Sequence, residues 1–130
     1  MSDRGQASST SARRRILIVE DELMIRMLLE DMLLDLGLEV AGAAGRLEEA
    51  VELAKHVDID AAILDVNMNG QPIMPVVDIL AARQLPFVFA TGYGERGIPQ
   101  AYRGHPVLQK PFQLENLKRV LAEIGVEEKA

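Results

Sequence analysis

The sequence predicts an α/β protein built on a doubly wound, five-stranded parallel sheet. Short aliphatic runs such as 16–19 and 61–64 have the length and composition of strands buried on both faces of a parallel sheet. Segments with helical periodicity separate these runs, and strands that alternate with helices form β–α units with right-handed crossovers. A chain of 130 residues, 48% of them hydrophobic, is long enough for one domain with a substantial core.

The elements follow one another in a regular order. Strands are predicted at residues 15–19, 39–43, 61–64, 86–90 and 106–109. Helices are predicted at residues 22–36, 47–56, 74–83 and 113–124. Gly37 stands where a glycine ends the first helix, and the last helix has its leucines on one face. Asn69-Gly70-Gln71-Pro72 lies in a predicted loop, and four glycines and Pro99 in segment 92–104 predict a short, mobile helix there.

The two ends of the chain and its overall composition limit the functions that are possible. Residues 1–13 are predicted to be a disordered tail, residues 14–125 the domain, and residues 126–130 a C-terminal tail. The chain has no cysteine, which excludes a disulfide framework and a thiolate metal site. A net charge of −6 argues against binding to nucleic acid or to an anionic membrane. We expect a cytoplasmic protein without a signal peptide or membrane span.

Chemically active side chains stand at the ends of three predicted strands. Glu20 and Asp21 follow the first strand, Asp65 follows the third, and Lys110 follows the fifth. The C-terminal ends of parallel strands share one edge of the sheet, where open α/β folds bind ligands. The sequence therefore predicts a Mg²⁺-dependent phosphoryl pocket at this edge.

Each of these side chains suits one role in such a pocket. Asp21 and Asp65 are the natural direct ligands of Mg²⁺, which prefers oxygen, and Glu20 reaches the ion through water. Asp65, alone after the central strand, is the candidate nucleophile towards phosphorus. Lys110 supplies a charge for a phosphoryl oxygen, and Pro111 fixes its backbone through a cis bond. Thr91, at the end of the fourth strand, offers a hydroxyl donor, and the Gly92 amide can approach a phosphate.

Structural roles compete with each of these interpretations. An acidic pair after a strand often caps the next helix, and a lone Asp is often a turn residue. A lysine before proline is usually solvated at the surface, and Thr91-Gly92 by itself is an ordinary strand end. The set as a whole favours the pocket, since four strand ends carry suitable chemistry in a suitable order.

The chain resembles a response-regulator receiver domain of two-component signalling over residues 14 to 125. The resemblance is carried by the motifs ILIV-Glu20-Asp21-Glu22, IL-Asp65-V-Asn67, Thr91-Gly92 and Lys110-Pro111-Phe112. It implies a flavodoxin-like fold with strand order 2-1-3-4-5. It also implies that Asp65 accepts the phosphoryl group from a sensor histidine kinase, that Mg²⁺ is held by the acidic pair, Asp65 and the Asn67 carbonyl, and that Thr91 and Lys110 hold the phosphoryl oxygens.

A narrower resemblance rests on one stretch, PFVFATGYG at residues 86–94. It is similar to the atypical "FAT GUY" receivers, mostly stand-alone proteins of alphaproteobacteria whose kinases are often of the HWE type. Common receivers have an aromatic residue where this chain has Val107, and a proline where it has Asn69. Our hypothesis is that Tyr93 replaces the missing aromatic residue in a switch with Thr91. The alternative is that Tyr93 simply packs on the surface.

The first predicted helix is too apolar to bury only one face. At about 100° per residue, six apolar residues form a core arc: Ile25, Leu28, Leu29, Met32, Leu33 and Leu36. Leu23, Met27 and Leu34 lie on the opposite half, among charged residues. An apolar stripe with a charged rim suggests a docking surface, and receivers commonly present this helix to the kinase. Scattered surface leucines are the alternative.

Three function classes follow. The first is a stand-alone signalling switch that works through a target protein or a phosphotransfer protein and is not an enzyme. The second is a small Mg²⁺-dependent phosphohydrolase, but such enzymes place the nucleophile after the first strand, whereas the lone Asp65 follows the third. The third is a phosphorylation-independent interaction module, which the intact Asp21, Thr91 and Lys110 disfavour. A flavodoxin-like cofactor carrier is also disfavoured, because such a protein has a phosphate-binding loop after the first strand, where this chain has carboxylates. The switch is the favoured interpretation.

Overall fold

A computed structural model of the chain describes residues 13–92 and 97–126. The strands in these residues are β1 (Arg15–Val19), β2 (Glu39–Ala44), β3 (Ala61–Asp65), β4 (Asn67–Met68), β5 (Gln71–Pro72), β6 (Phe87–Thr91) and β7 (Val107–Gln109). Five of them form one sheet in the order β2-β1-β3-β6-β7, and all neighbouring pairs are parallel. The predicted doubly wound sheet and its strand order are confirmed.

Four α-helices in the described residues cover the two faces of this sheet. They are α1 (Leu23–Asp35), α2 (Leu47–His56), α3 (Met74–Ala82) and α4 (Leu114–Glu123). Alternate residues of β1 point to opposite faces: Ile16 and Ile18 belong to the core shared with α1 and α4, whereas Leu17 and Val19 belong to the core shared with α2 and α3. Burial on both faces explains why the strands are continuous aliphatic runs rather than alternating ones.

The first helix ends at a glycine, as predicted. Gly37 has a φ of 80°, its N–H donates to the Leu34 carbonyl at 3.0 Å, and the Leu38 N–H donates to the Leu33 carbonyl at 2.9 Å. This pair of hydrogen bonds is the Schellman arrangement, which needs a residue in the left-handed region. It returns the chain directly into β2.

The loop after β3 is more ordered than predicted. β4 and β5 pair as an antiparallel hairpin whose two turn residues, Asn69 and Gly70, have φ values of 55° and 84°. Two positive φ values in a two-residue turn define the type I′ hairpin, for which Asn-Gly is the preferred sequence. The buried Met68 anchors this hairpin in the core.

Several predictions fall wholly or partly on residues that the structure does not describe. Tyr93, residues 1–12 of the predicted N-terminal tail and residues 127–130 of the predicted C-terminal tail lie outside the described ranges. Within 97–104 the predicted short helix reduces to a 3₁₀ turn at Gln100–Tyr102. None of the helices in residues 13–92 and 97–126 has the length and hydropathy that a bilayer crossing requires.

Candidate functional site

The C-terminal ends of β1, β3, β6 and β7 meet around one cleft of about 420 Å³. Its walls contain both acidic and cationic side chains. They are formed by Asp21, Glu22, Asp65, Val66, Asn67, Thr91, Gly92 and Lys110. The strand order brings together the side chains that the sequence predicted at this edge, because β1 and β3 are neighbours and β6 and β7 follow. The predicted convergence is therefore observed.

Three carboxylates cluster at the cleft, two of them in its lining and the third, Glu20, buried behind it. Glu20, Asp21 and Asp65 each offer an oxygen, and these oxygens lie within 4.8 Å of one another. Glu20 and Asp65 are buried, and Asp21 is half-buried. Anionic oxygens at this spacing, open to water on one side, fit a hard divalent cation that keeps part of its hydration shell.

Lys110 neutralises part of this negative charge. Its Nζ lies 2.8 Å from Glu20 Oε1 and 3.4 Å from Asp65 Oδ2. Burial acts to lower the pKa of Lys110, but the hydrogen bond to Glu20 and the charge of Asp65 outweigh it, so the pKa lies above its usual value. The Lys110–Pro111 peptide bond is cis, as predicted. The ammonium is thus a permanent positive charge that pairs with Glu20 more closely than with Asp65.

Asp65 is the most perturbed acid of the cleft. Burial, followed by the negative charge of Glu20 and a hydrogen bond with Asp21, raises its pKa to about 7, although the Asn67 N–H and Lys110 act in the opposite direction. Burial also acts to raise the pKa of Asp21, but hydrogen bonds from the Asp65 carboxyl and the Asn69 N–H lower it below its usual value. Asp65 therefore holds its proton to a higher pH than an ordinary carboxyl group, in a place that suits a cation.

The β4–β5 hairpin is tied to these acids. The Asn67 N–H donates to Asp65 Oδ1 at 3.1 Å, and the Asn69 N–H donates to Asp21 Oδ2 at 2.9 Å. The Asn67 side-chain oxygen accepts the Gly70 N–H at 2.7 Å and closes the turn. Asn67 lines the cleft, as its predicted role requires. The contact of Asn69 with Asp21 was missed, although the Asn-Gly pair is a strong signal for a tight hairpin.

Thr91 is buried at the end of β6, and its carbonyl accepts the Lys110 N–H at 2.8 Å. Gly97 packs directly on its side chain: a Cβ built on Gly97 would lie 2.7 Å from Thr91 Oγ1 and 3.3 Å from Val66 Cγ2. Glycine is thus needed at position 97 for space, which the sequence did not reveal. The proposed partner of Thr91 in the switch, Tyr93, lies outside the described residues.

An apolar surface lies on α1, beside the cleft. Leu23, Met27 and Leu34 are exposed, as predicted, but the same face also includes Met24, which is 79% exposed and was missed. Leu28 was predicted to belong to the core and is 39% exposed, so that prediction was wrong. The buried stripe centres on Leu29 and Leu33, and Leu28 is rotated by about 100° from Leu29 around the helix axis. We call these five exposed residues the α1 surface.

A model of the family described as response regulator receiver domain matches residues 16–122. The chain belongs to this family, in agreement with its fold and the arrangement of its cleft. A curated relative, the transcriptional regulatory protein PdtaR of Mycobacterium tuberculosis, is 37% identical over 108 residues, which are 80% of this chain and 53% of PdtaR. The chain thus spans about half the length of that relative.

Two solved structures extend the comparison. SdrG of Sphingomonas melonis Fr1 is 44% identical with a TM-score of 0.80, and the match covers 88% of this chain and 98% of that one. The receiver domain of sensor histidine kinase PA1611 of Pseudomonas aeruginosa PAO1 is 26% identical with a TM-score of 0.73, covering 87% of this chain and 98% of that one. That structure holds a magnesium ion in its active-site cleft.

Proposed function

We propose that this protein is a phospho-accepting signalling switch in which Asp65 takes a phosphoryl group in the presence of Mg²⁺. The observation that carries this proposal is the placement of Asp65 between two further carboxylates, Glu20 and Asp21, and the ammonium of Lys110 in one open cleft. A nucleophile beside a cation site and a fixed positive charge is the arrangement that phosphoryl transfer needs.

The residues divide the chemistry among them. Glu20, Asp21, Asp65 and Asn67 would hold the cation, which neutralises charge on the transferring group when it is bound. An Asp65 carboxylate oxygen attacks phosphorus and forms the new P–O bond, while the bond to the donor's leaving group breaks and that group departs with the electron pair. Lys110 and Thr91 stabilise the negative charge on the phosphoryl oxygens. The protein is itself the acceptor, so we class it as a switch rather than an enzyme.

The partner in this proposal is a sensor histidine kinase, which docks on the α1 surface. Five large apolar side chains exposed on one helix, with Asp31 and Asp35 among them, provide the spaced anchors that helix-to-helix docking uses. Output runs through contacts with a protein target or a phosphotransfer protein in the cytoplasm, without nucleic acid or membrane. A stand-alone receiver is part of this proposal, and the match that covers 98% of the SdrG chain is consistent with it. A kinase of the HWE type stays a prediction from the FAT GUY resemblance.

A direct experiment tests the proposed function. The wild-type protein is incubated with Mg²⁺ and acetyl phosphate, and its intact mass is measured. We expect a gain of one phosphoryl group, and none when the metal is removed by chelation, because the cation that neutralises the negative charge of the transferring group is then gone. A protein that gains no mass from acetyl phosphate and shows no response to beryllofluoride would instead be an interaction module that ignores phosphate.

A substitution on the α1 surface tests the partner separately. Met27→Asp places a charge in the middle of this surface. We expect phosphotransfer from a cognate kinase to fall at least about tenfold, since loss of a central anchor costs about 2 kcal/mol or more and a factor of ten corresponds to about 1.4 kcal/mol. Labelling by acetyl phosphate should be unchanged because Met27 lies outside the cleft. Lys55→Asp, on α2 at the opposite face of the sheet, is the control, and it makes a larger change of charge than Met27→Asp does. Equal transfer rates in both variants would place the kinase elsewhere.

A further inference from the structure

One side chain of α1 reaches back to the acidic pair. The Arg26 guanidinium donates through Nη1 to the backbone carbonyl of Glu20 at 2.8 Å. Glu20 and Asp21 share the peptide unit to which this carbonyl belongs, so the orientation of the unit sets the direction in which Asp21 leaves the strand. Arg26 thus acts on the acidic loop without being one of the cation's candidate ligands.

Gly45, directly after β2, makes room for this guanidinium. A Cβ built on Gly45 would lie 2.5 Å from Arg26 Nη1 and 3.2 Å from Cζ. The φ of Gly45 is outside the left-handed region, so its backbone conformation does not demand a glycine. A methyl group at position 45 would therefore displace the Arg26 guanidinium, which is the end of a flexible side chain.

The remaining polar groups of Glu20 are also fixed. Its N–H donates to the Ala44 carbonyl at 3.0 Å, its Oε2 accepts the Glu22 N–H at 3.0 Å, and its Oε1 lies 2.8 Å from Lys110 Nζ. Two of these contacts are made by the backbone of β2 and of the loop itself, and the third is made by Lys110, directly after β7. The contact from Arg26 is different, because it comes from a flexible side chain on the proposed docking helix.

We propose that Arg26, seated over Gly45, is a positioning residue that holds the Glu20–Asp21 peptide in the orientation needed to bind a divalent cation. This inference rests on the proposed function for the identity of the cation, Mg²⁺. Outer contacts of this kind hold metal ligands in place, and their loss typically weakens metal binding about 10- to 100-fold.

The test uses Gly45→Ala, which displaces the guanidinium but keeps its charge in the protein. The Kd for Mg²⁺ is measured by calorimetry and by the amide shifts of residues 20–22. We expect an increase in Kd of about tenfold. Gly42→Ala, in the preceding strand, is the matched control, because its new Cβ meets only the side chains of Leu53 at 3.4 Å and Leu17 at 3.8 Å, which are ordinary contact distances. Its Kd should equal that of the wild type.

A double-mutant comparison isolates the role of Arg26. In an Arg26→Gln background the side chain that collides with the new methyl group is gone, so Gly45→Ala should have no further effect on the Kd. The inference is overturned if Gly45→Ala binds Mg²⁺ as tightly as the wild type, or if it weakens binding equally with and without Arg26.

A readout without metal separates this inference from the proposed function. If the peptide unit is held by Arg26, the Asp21 amide resonance of the metal-free protein should shift in both Gly45→Ala and Arg26→Gln, and stay in place in Gly42→Ala. A wild-type protein that binds no Mg²⁺ would contradict the proposed function. An Asp21 amide resonance that stays in place in both variants would contradict the positioning role of Arg26.

Discussion

Asp65→Asn is expected to abolish phosphoryl incorporation from acetyl phosphate and Mg²⁺. The amide has nearly the same shape as the carboxylate but lacks the anionic oxygen that attacks phosphorus. Intact-mass measurement over the full time course of wild-type labelling checks this. Asp78→Asn, an exposed change on α3, is the matched control and should label as the wild type does. If Asp65→Asn were labelled as fully as the wild type, another residue would have to be the phosphoryl acceptor.

The same substitution should change how stability depends on pH. Because the folded-state pKa of Asp65 is raised to about 7 from 3.8, the metal-free folded protein binds a proton that the unfolded chain has released. The stabilisation from this proton is complete below the unfolded pKa and is lost as the pH rises through about 7. Asparagine does not titrate, so the variant does not lose this part of its stability as the pH rises.

The expected result is a stability advantage of Asp65→Asn that grows with pH. Between about pH 5 and pH 8 the advantage should increase by about 1–2 kcal/mol, less than the full shift implies, because the carboxyl borders an open cleft. Urea unfolding of both proteins at the two pH values, with chelator present, measures it. An advantage that is constant with pH would mean that Asp65 ionises normally in the folded state.

Much of the fold could be predicted because burial on two faces leaves a simple pattern. The predicted limits of β1 and α2 agree with the structure, since aliphatic runs and an amphipathic stripe are local signals. Parallel pairing then fixed which strand ends share an edge. The prediction that Asp21, Asp65 and Lys110 lie at one edge of the sheet therefore followed from the order and direction of the strands alone.

What could not be predicted depends on contacts between distant parts of the chain. The exposure of Leu28 was not predicted, because the helical wheel does not show which stripe of α1 packs on the sheet. The glycines at 45 and 97 resemble any loop glycine until the side chains of Arg26 and Thr91 are placed against them. The hairpin is the exception, because the Asn69-Gly70 pair is itself a local sequence signal for a type I′ turn.

Lys110→Met should destabilise the metal-free protein. Glu20 is fully buried and has Lys110 Nζ at 2.8 Å, so removal of the ammonium leaves a buried carboxylate without its counter-charge. Such losses cost about 3–5 kcal/mol for fully buried pairs, and we expect about 2–3 kcal/mol here because the Lys110 side chain is partly exposed. Urea unfolding checks this, with Lys118→Met, an exposed change on α4, as the control.

Lys110→Met should strengthen Mg²⁺ binding but slow phosphoryl transfer. Without the ammonium, the three carboxylates retain more unbalanced negative charge, so Mg²⁺ should bind more tightly and restore part of the lost stability. Labelling by acetyl phosphate should nevertheless slow by at least about a hundredfold, because one preorganised charge on the phosphoryl oxygens is gone. A variant that merely distorted the cleft would lose both properties together. Tighter Mg²⁺ binding together with slower phosphoryl transfer is the result expected if Lys110 has two opposite effects. Its charge opposes the cation in the resting protein and stabilises the phosphoryl oxygens during the reaction.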